Sequence, residues 1–156
     1  MVISVVSDTH GLLRPEIIPL LAGSDHILHL GDVGDPEILG VLARIASVTA
    51  VRGNIDTQGP CAQLPEVEVV TLAGRDLYLL HDVSRLDLDP GAAGFAAVLY
   101  GHSHKPEIRW RKGVLYMNPG SCGPRRFQLP ISYGRITIHE NGQLEAEILQ
   151  LPIGRM

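Results

Sequence analysis

Short apolar runs recur along the chain, each followed within two residues by a Gly, Asp, Asn or His. Val2–Val6, His26–Leu30, Val48–Val51, Leu77–Leu80, Ala97–Tyr100 and Val114–Met117 are rich in Val, Ile and Leu. Runs this short, bounded by turn formers, predict buried strands rather than helices. Helical spacing occupies the gaps between the first three. Pro15–Leu21 is a brief example. Asp35-Pro36-Glu37, followed by Ile38, Leu39, Leu42 and Ile45, offers an N-cap, a proline at the first helical position and one apolar face. The resulting βαβαβ opening predicts an α/β fold.

Later segments change period. Val67, Val69 and Thr71 alternate with Glu66, Glu68 and Val70 ahead of a turn at Gly74, which predicts a hairpin into Leu77–Leu80. Arg135–Ile138 and Leu144–Leu149 flank Asn141-Gly142, the dipeptide that best tolerates a tight hairpin turn. Trp110 and Tyr116 are expected to pack on each other across the Lys112-Gly113 turn. Pro90-Gly91-Ala92-Ala93-Gly94 is poor helix material, so 82–96 is expected to be a shortened loop. A two-sheet core with helices outside is the economical architecture.

With 156 residues and no composition break or repeat, residues 1–156 are read as a single domain. The net charge of −4 lacks the basic footprint of a general nucleic-acid binder, and aromatics are scarce. Two cysteines in no CxxC pair exclude a disulfide scaffold and a thiolate zinc site. The N-terminal apolar run is too short for a signal peptide or a membrane span, so a cytoplasmic protein is expected.

The chemistry collects behind the strands. Asp8 and His10 follow the first, Asp32 the second, Asn54 the third, His81 the run at 77–80, and His102 and His104 the run at 97–100. In an open α/β sheet the carboxyl ends of parallel strands share one edge, so these residues are expected to converge. Oxygen and nitrogen donors of this kind suit Mn, Fe, Zn or Ni, whereas calcium would take oxygens alone. Seven donors exceed the four of one structural zinc, and two metals sharing a carboxylate is the natural count.

The ordered strings Ser7-Asp8-Thr9-His10-Gly11, Gly31-Asp32, Gly53-Asn54-Ile55-Asp56, His81, Gly101-His102-Ser103-His104 and Asn118-Pro119-Gly120-Ser121 closely resemble the calcineurin-like metallophosphoesterases, nearest their small single-domain phosphodiesterase branch. The resemblance implies a two-sheet αββα metallophosphoesterase sandwich. It implies two divalent transition metals, manganese being the leading expectation with iron, zinc or nickel as alternatives. Asp8, His10 and His104 would hold one metal, Asn54, His81 and His102 the other, and Asp32 would bridge them. Asp32, Asn54 and His102 would also act in catalysis, in which a metal-bridging hydroxide attacks phosphorus.

Two departures bear on the substrate. Efficient phosphomonoesterases of the family commonly carry His after the Asn as a proton donor to the leaving group, and here that position is Ile55. Losing general acid catalysis, typically worth about 10²–10⁴-fold, disfavours poor leaving groups. The GNxD form, with Asp56, is common among the small phosphodiesterases. Asp82 stands where the family often has Gly, which bears on specificity. A metal-dependent hydrolase acting on a small phosphodiester is therefore expected, with its oligomeric state open. The competing readings are a phosphomonoesterase and a non-catalytic interaction scaffold, as in the retromer subunit of this fold.

Of the remaining residues, His26 and His29 read as buried, hydrogen-bonded histidines, His29 with a second reading as an orienter of Asp32. His139 reads as solvated, Arg125 and Arg126 as surface charges with a phosphate contact as the alternative, and Cys122 as packing.

Overall fold

A computed structural model describes residues 1–153. In chain order the strands are β1 (Val2–Val6), β2 (His26–His29), β3 (Ser47–Ala50), β4 (Val67–Leu72), β5 (Arg75–Leu80), β6 (Ala97–Leu99), β7 (Glu107–Arg111), β8 (Val114–Asn118), β9 (Ser132–Ile138) and β10 (Leu144–Gln150); helix α1 (Ile17–Leu20) precedes β2 and α2 (Pro36–Ala43) precedes β3. They form two five-stranded sheets, ordered β10-β9-β1-β2-β3 and β4-β5-β6-β8-β7. β1, β2 and β3 run parallel, as do β5, β6 and β8. The expected two-sheet sandwich is therefore present, with the carboxyl ends of both parallel sets available to build one site.

Burial follows strand alternation. Ile3 and Val5 of β1 pack between the sheets with Leu28, Leu77, Leu79, Leu99, Leu115 and Met117. The opposite face of the first sheet meets both helices through Val6, Ile17, Leu21, Ile38 and Leu42. α2 starts as its sequence dictates: the Asp35 carboxylate accepts the Glu37 N–H at 3.0 Å and Pro36 sits at the first helical position.

The second sheet is covered differently. Its outer face carries Tyr78, Leu80, Val98, Tyr100, Val114 and Tyr116, against which Val83, Leu86, Leu88 and Phe95 pack. The covering segment holds only a 3₁₀ turn at Val83–Arg85. Pro90, Gly91 and Gly94 explain why no α-helix forms there.

One pairing expected from the sequence is overturned. β7, an edge strand whose charged residues hid it from the hydrophobic pattern, places Trp110 opposite Leu115 and Arg109 opposite Tyr116. Neighbouring residues of a strand face opposite ways, so Trp110 and Tyr116 lie on different faces. The Tyr116 ring instead receives the guanidinium groups of Arg109 and Arg111, 5.5 and 5.9 Å from its centroid.

Candidate functional site

Five of the seven residues singled out behind the strands meet in one cluster. Asp8 Oδ1 lies 3.7 Å from His10 Nε2, 3.4 Å from His104 Nε2 and 3.8 Å from His81 Nε2. Asp32 Oδ2 stands between His10 Nε2 and His81 Nε2, 3.3 Å from each. Two triads with metal-ligand spacing result, Asp8–His10–His104 and Asp8–Asp32–His81, and they share Asp8. Asn54 and His102 sit at the exposed rim, joined by a 3.1 Å contact between Asn54 Oδ1 and His102 Nδ1. The His102 ring stands edge-on to His81 at 5.2 Å.

Hydrogen bonds from behind hold the cluster. Asp8 Oδ2 accepts from the Ser7 hydroxyl at 2.7 Å and the His102 N–H at 3.1 Å, which leaves Oδ1 facing inward. Asp32 Oδ1 accepts the Ile55 N–H at 3.0 Å. His81 Nδ1 donates to the Leu30 carbonyl at 2.7 Å, turning Nε2 toward the two carboxylates. The Asn118–Ser121 turn backs the cluster: Asn118 Nδ2 donates to the Gly101 carbonyl and the Ser103 hydroxyl, and the Ser121 hydroxyl donates to the Asp8 carbonyl. Gly53 and Gly101 let backbones come close. A Cβ at Gly53 would collide with the Asp32 carboxylate, and one at Gly101 with Ser7 and Asp8.

Backbone conformation adds a feature the sequence does not announce. Asp8, His10, Asp32, His102 and His104 have φ of 57°, 47°, 56°, 76° and 64°. For residues with a Cβ, this left-handed region costs about 1–2 kcal/mol each, and strain of this kind concentrates at functional sites.

Charge is unevenly satisfied. Burial pushes the Asp8 carboxyl toward higher pKa, but His10, His104, His81 and the Ser7 hydroxyl outweigh it and hold the group far below the usual carboxylate range. Asp32 is likewise lowered, its burial overcome by His81 and the Ile55 N–H. His81 is raised: burial opposes the charge, while Asp32 and Asp8 favour it. Even so, Asp8 Oδ1, His81 Nε2 and His104 Nδ1 are buried with no hydrogen-bond partner among the described residues. A cation at the centre would satisfy the first two together.

Asp56 is the contributor that sequence reading undervalued. It is buried, and its carboxylate accepts N–H groups of Val33 (3.1 Å), Gly34 (3.1 Å) and Gly53 (2.8 Å). It thereby ties the loop bearing Asp32 to the loop bearing Asn54. No periodicity signals this, because an Asp in a turn-rich stretch reads as a turn former. Among the described residues His29 makes no hydrogen bond to Asp32. Its Nδ1 accepts the Gly31 N–H at 3.1 Å and its Nε2 meets the Thr9 hydroxyl at 3.0 Å, with full burial lowering its pKa to about 4. His26 bonds the Thr49 hydroxyl at 2.8 Å, and His139 pairs with exposed Glu145 at 2.9 Å. Cys122 is fully buried, its thiol pushed up to about 12 by desolvation. Arg125 and Arg126 are exposed, and Arg125 donates to the Leu129 carbonyl at 3.3 Å.

Known proteins share this arrangement of chain. A "Probable metallophosphoesterase" of Methanothermobacter thermautotrophicus is 33% identical over 162 residues, covering 96% of this chain and 92% of that protein. A predicted phosphoesterase from Streptococcus pneumoniae superposes with a TM-score of 0.75 at 26% identity, over 96% of this chain and 88% of the other. An archaeal phosphodiesterase shares the fold at a TM-score of 0.77 and 22% identity, over 96% and 100% of the two chains. Residues 1–141 match the calcineurin-like phosphoesterase superfamily domain, and the chain belongs to that family.

Proposed function

We propose that the protein is a binuclear metal-dependent phosphodiesterase acting on a small phosphodiester, with Asp8, His10, Asp32 and His104 holding one divalent ion and Asp32, Asn54, His81 and His102 the other. The observation that carries this reading is His81. With Nδ1 donating to Leu30, a neutral ring points the Nε2 lone pair at two carboxylates. That arrangement is repulsive unless a proton or a metal lies between them. The donor set of carboxylates, imidazoles and one amide fits manganese, iron, zinc or nickel; manganese is the metal we would supply first.

When bound, the ions supply Lewis acidity that activates water near neutral pH and offsets phosphate charge. The protein's own residues do the rest. Asp32 Oδ2 is equidistant from His10 and His81 and so suits a shared position. Asn54 and His102, exposed at the rim, face incoming phosphate, and the Asn54 amide can donate to a non-bridging oxygen as charge develops there. Ile55 contributes only its backbone N–H, so its side chain offers no proton to a departing alkoxide. This favours diesters with acidic leaving groups over monoesters of alkyl alcohols.

The test is hydrolysis of an activated aryl phosphodiester by metal-stripped protein resupplied with Mn²⁺, beside Asp32→Asn treated identically. Metal-dependent turnover in the parent and its loss in the variant is expected. A strong preference for the aryl monoester with the same leaving group would overturn the diesterase assignment. Absence of turnover with every candidate metal would favour an interaction role.

A further inference from the structure

A cavity of about 960 Å³ opens beside the rim residues Asn54 and His102. His81, 6% exposed and with Nε2 unpartnered, also lies in its wall, so the cavity is continuous with the centre where phosphate would sit. Its far side is built from Val67, Tyr78 and Leu80 on β4 and β5. Tyr78 packs edge-on against Phe95 at 5.2 Å.

Two arginines and four carboxylates line the cavity: Arg52 and Arg85 against Asp56, Glu66, Asp82 and Asp87. Several are already engaged. Arg52 pairs with Glu66 at 3.0 Å and donates to the carbonyls of Ala62 and Leu64. Asp56 is occupied by its three N–H groups. Away from the rim, where Asn54, His81 and His102 would hold a metal ion beneath the phosphate, what remains is one cation, Arg85, against Asp82 and Asp87, on the segment that departs from the family pattern. Asp82 accepts from the Ser84 N–H and hydroxyl, which fixes its position without neutralising it.

We propose that this cavity receives the second alcohol of the diester and selects against a negatively charged one. This rests on the phosphodiesterase reading above. An apolar wall with an excess of carboxylate accepts a neutral or cationic arm with an apolar body, such as an aminoalcohol, and repels an arm bearing a carboxylate or a further phosphate. Arg85 is the built-in competitor, because an anionic arm would have to find it in preference to its acidic neighbours.

The experiment compares three p-nitrophenyl diesters with the same leaving group and different second arms: choline, its neutral isostere 3,3-dimethylbutyl, and a carboxyalkyl chain of equal length. In each, water adds to phosphorus, the bond to the aryl oxygen breaks, nitrophenolate leaves and the proton goes to solvent. The expected order of kcat/KM is choline, then neutral, then carboxylate, spanning about tenfold between the extremes and narrowing as salt rises. Asp87→Asn should compress that span, and Asp87→Lys, on an exposed position, should compress it further.

Equal rates on all three arms, or a carboxylate arm that is fastest and loses its advantage in Arg85→Gln, would overturn the charge selection while leaving the diesterase reading intact. Hydrolysis of none of them by the Mn²⁺-loaded protein would overturn both.

Discussion

The candidate site has two unlike halves. Asp8, Asp32, His81 and His104 are almost wholly buried, and each carboxylate is held from behind by hydrogen bonds that leave one oxygen aimed inward. Asn54 and His102 lie exposed at the rim, their side chains joined to each other, with the His102 ring edge-on to His81. The buried half is preorganised by packing and can bind only what fits it. The open half can adjust and borders the cavity proposed to receive substrate. Affinity should therefore reside mainly in the first half, and selectivity in the second.

The sharpest way to break this contrast is to substitute one residue from each half. Asp8→Asn preserves shape but removes the charge shared by both triads. It is expected to lower metal-dependent hydrolysis by at least about 1,000-fold, equivalent to about 4 kcal/mol, with no recovery at high metal. Asn54→Ala is expected to lose about 10–100-fold and to regain part of that as metal concentration rises. Metal titrations followed by activity and by calorimetry distinguish the two, and equal losses would show that the halves do not differ.

A second prediction concerns the metal-free protein and the buried side alone. His29 titrates near 4 when folded and at about 6.5 when unfolded, so the unfolded chain takes up its proton first as pH falls. The stability contributed by neutral His29 is intact above pH 6.5 and declines steadily toward pH 4, by about 3 kcal/mol. Asp8 and Asp32, whose folded pKa values are depressed, lose their contribution only below the ordinary carboxylate value of 3.8. Between pH 7.5 and 4.5, urea denaturation should show the parent losing more stability, or gaining less, than His29→Gln, because His81, whose folded pKa is raised, contributes in the opposite sense in both proteins. His29→Gln should also be the less stable of the two at pH 7.5.

Asp56 joins the halves, so its removal sharpens the comparison. Asp56→Ala leaves three N–H groups without their acceptor and should cost about 3 kcal/mol in chemical denaturation. It should also weaken metal binding more than the loss of stability accounts for. Asp35→Ala, a helix cap with no part in the site, is expected to cost about 1 kcal/mol and leave the metal titration unchanged.

Much of this was legible in the chain. Asp35-Pro36 marks where α2 begins, and the closing hairpin turns at Gly142, whose φ of 87° is why that position favours glycine. The convergence of Asp8, His10, Asp32, His81 and His104 followed from parallel strands that end on one edge. Other features were hidden for identifiable reasons. Three of the five residues of β7 are charged, so it carries no apolar run, and its register, not its composition, separates Trp110 from Tyr116. Asp56 acts on backbone N–H groups, which every residue but proline possesses and which leave no trace in a pattern of side chains.

The left-handed backbone at Asp8, His10, Asp32, His102 and His104 has a consequence for any attempt to improve this protein by selection. Glycine would relieve the conformation at each of these positions. A library screened for heat resistance alone would therefore be drawn toward glycine where the proposed chemistry needs a ligand, and on that reading the most robust survivors would be inert. Screening for survival and turnover together is the only regime in which this chain can gain the one without surrendering the other.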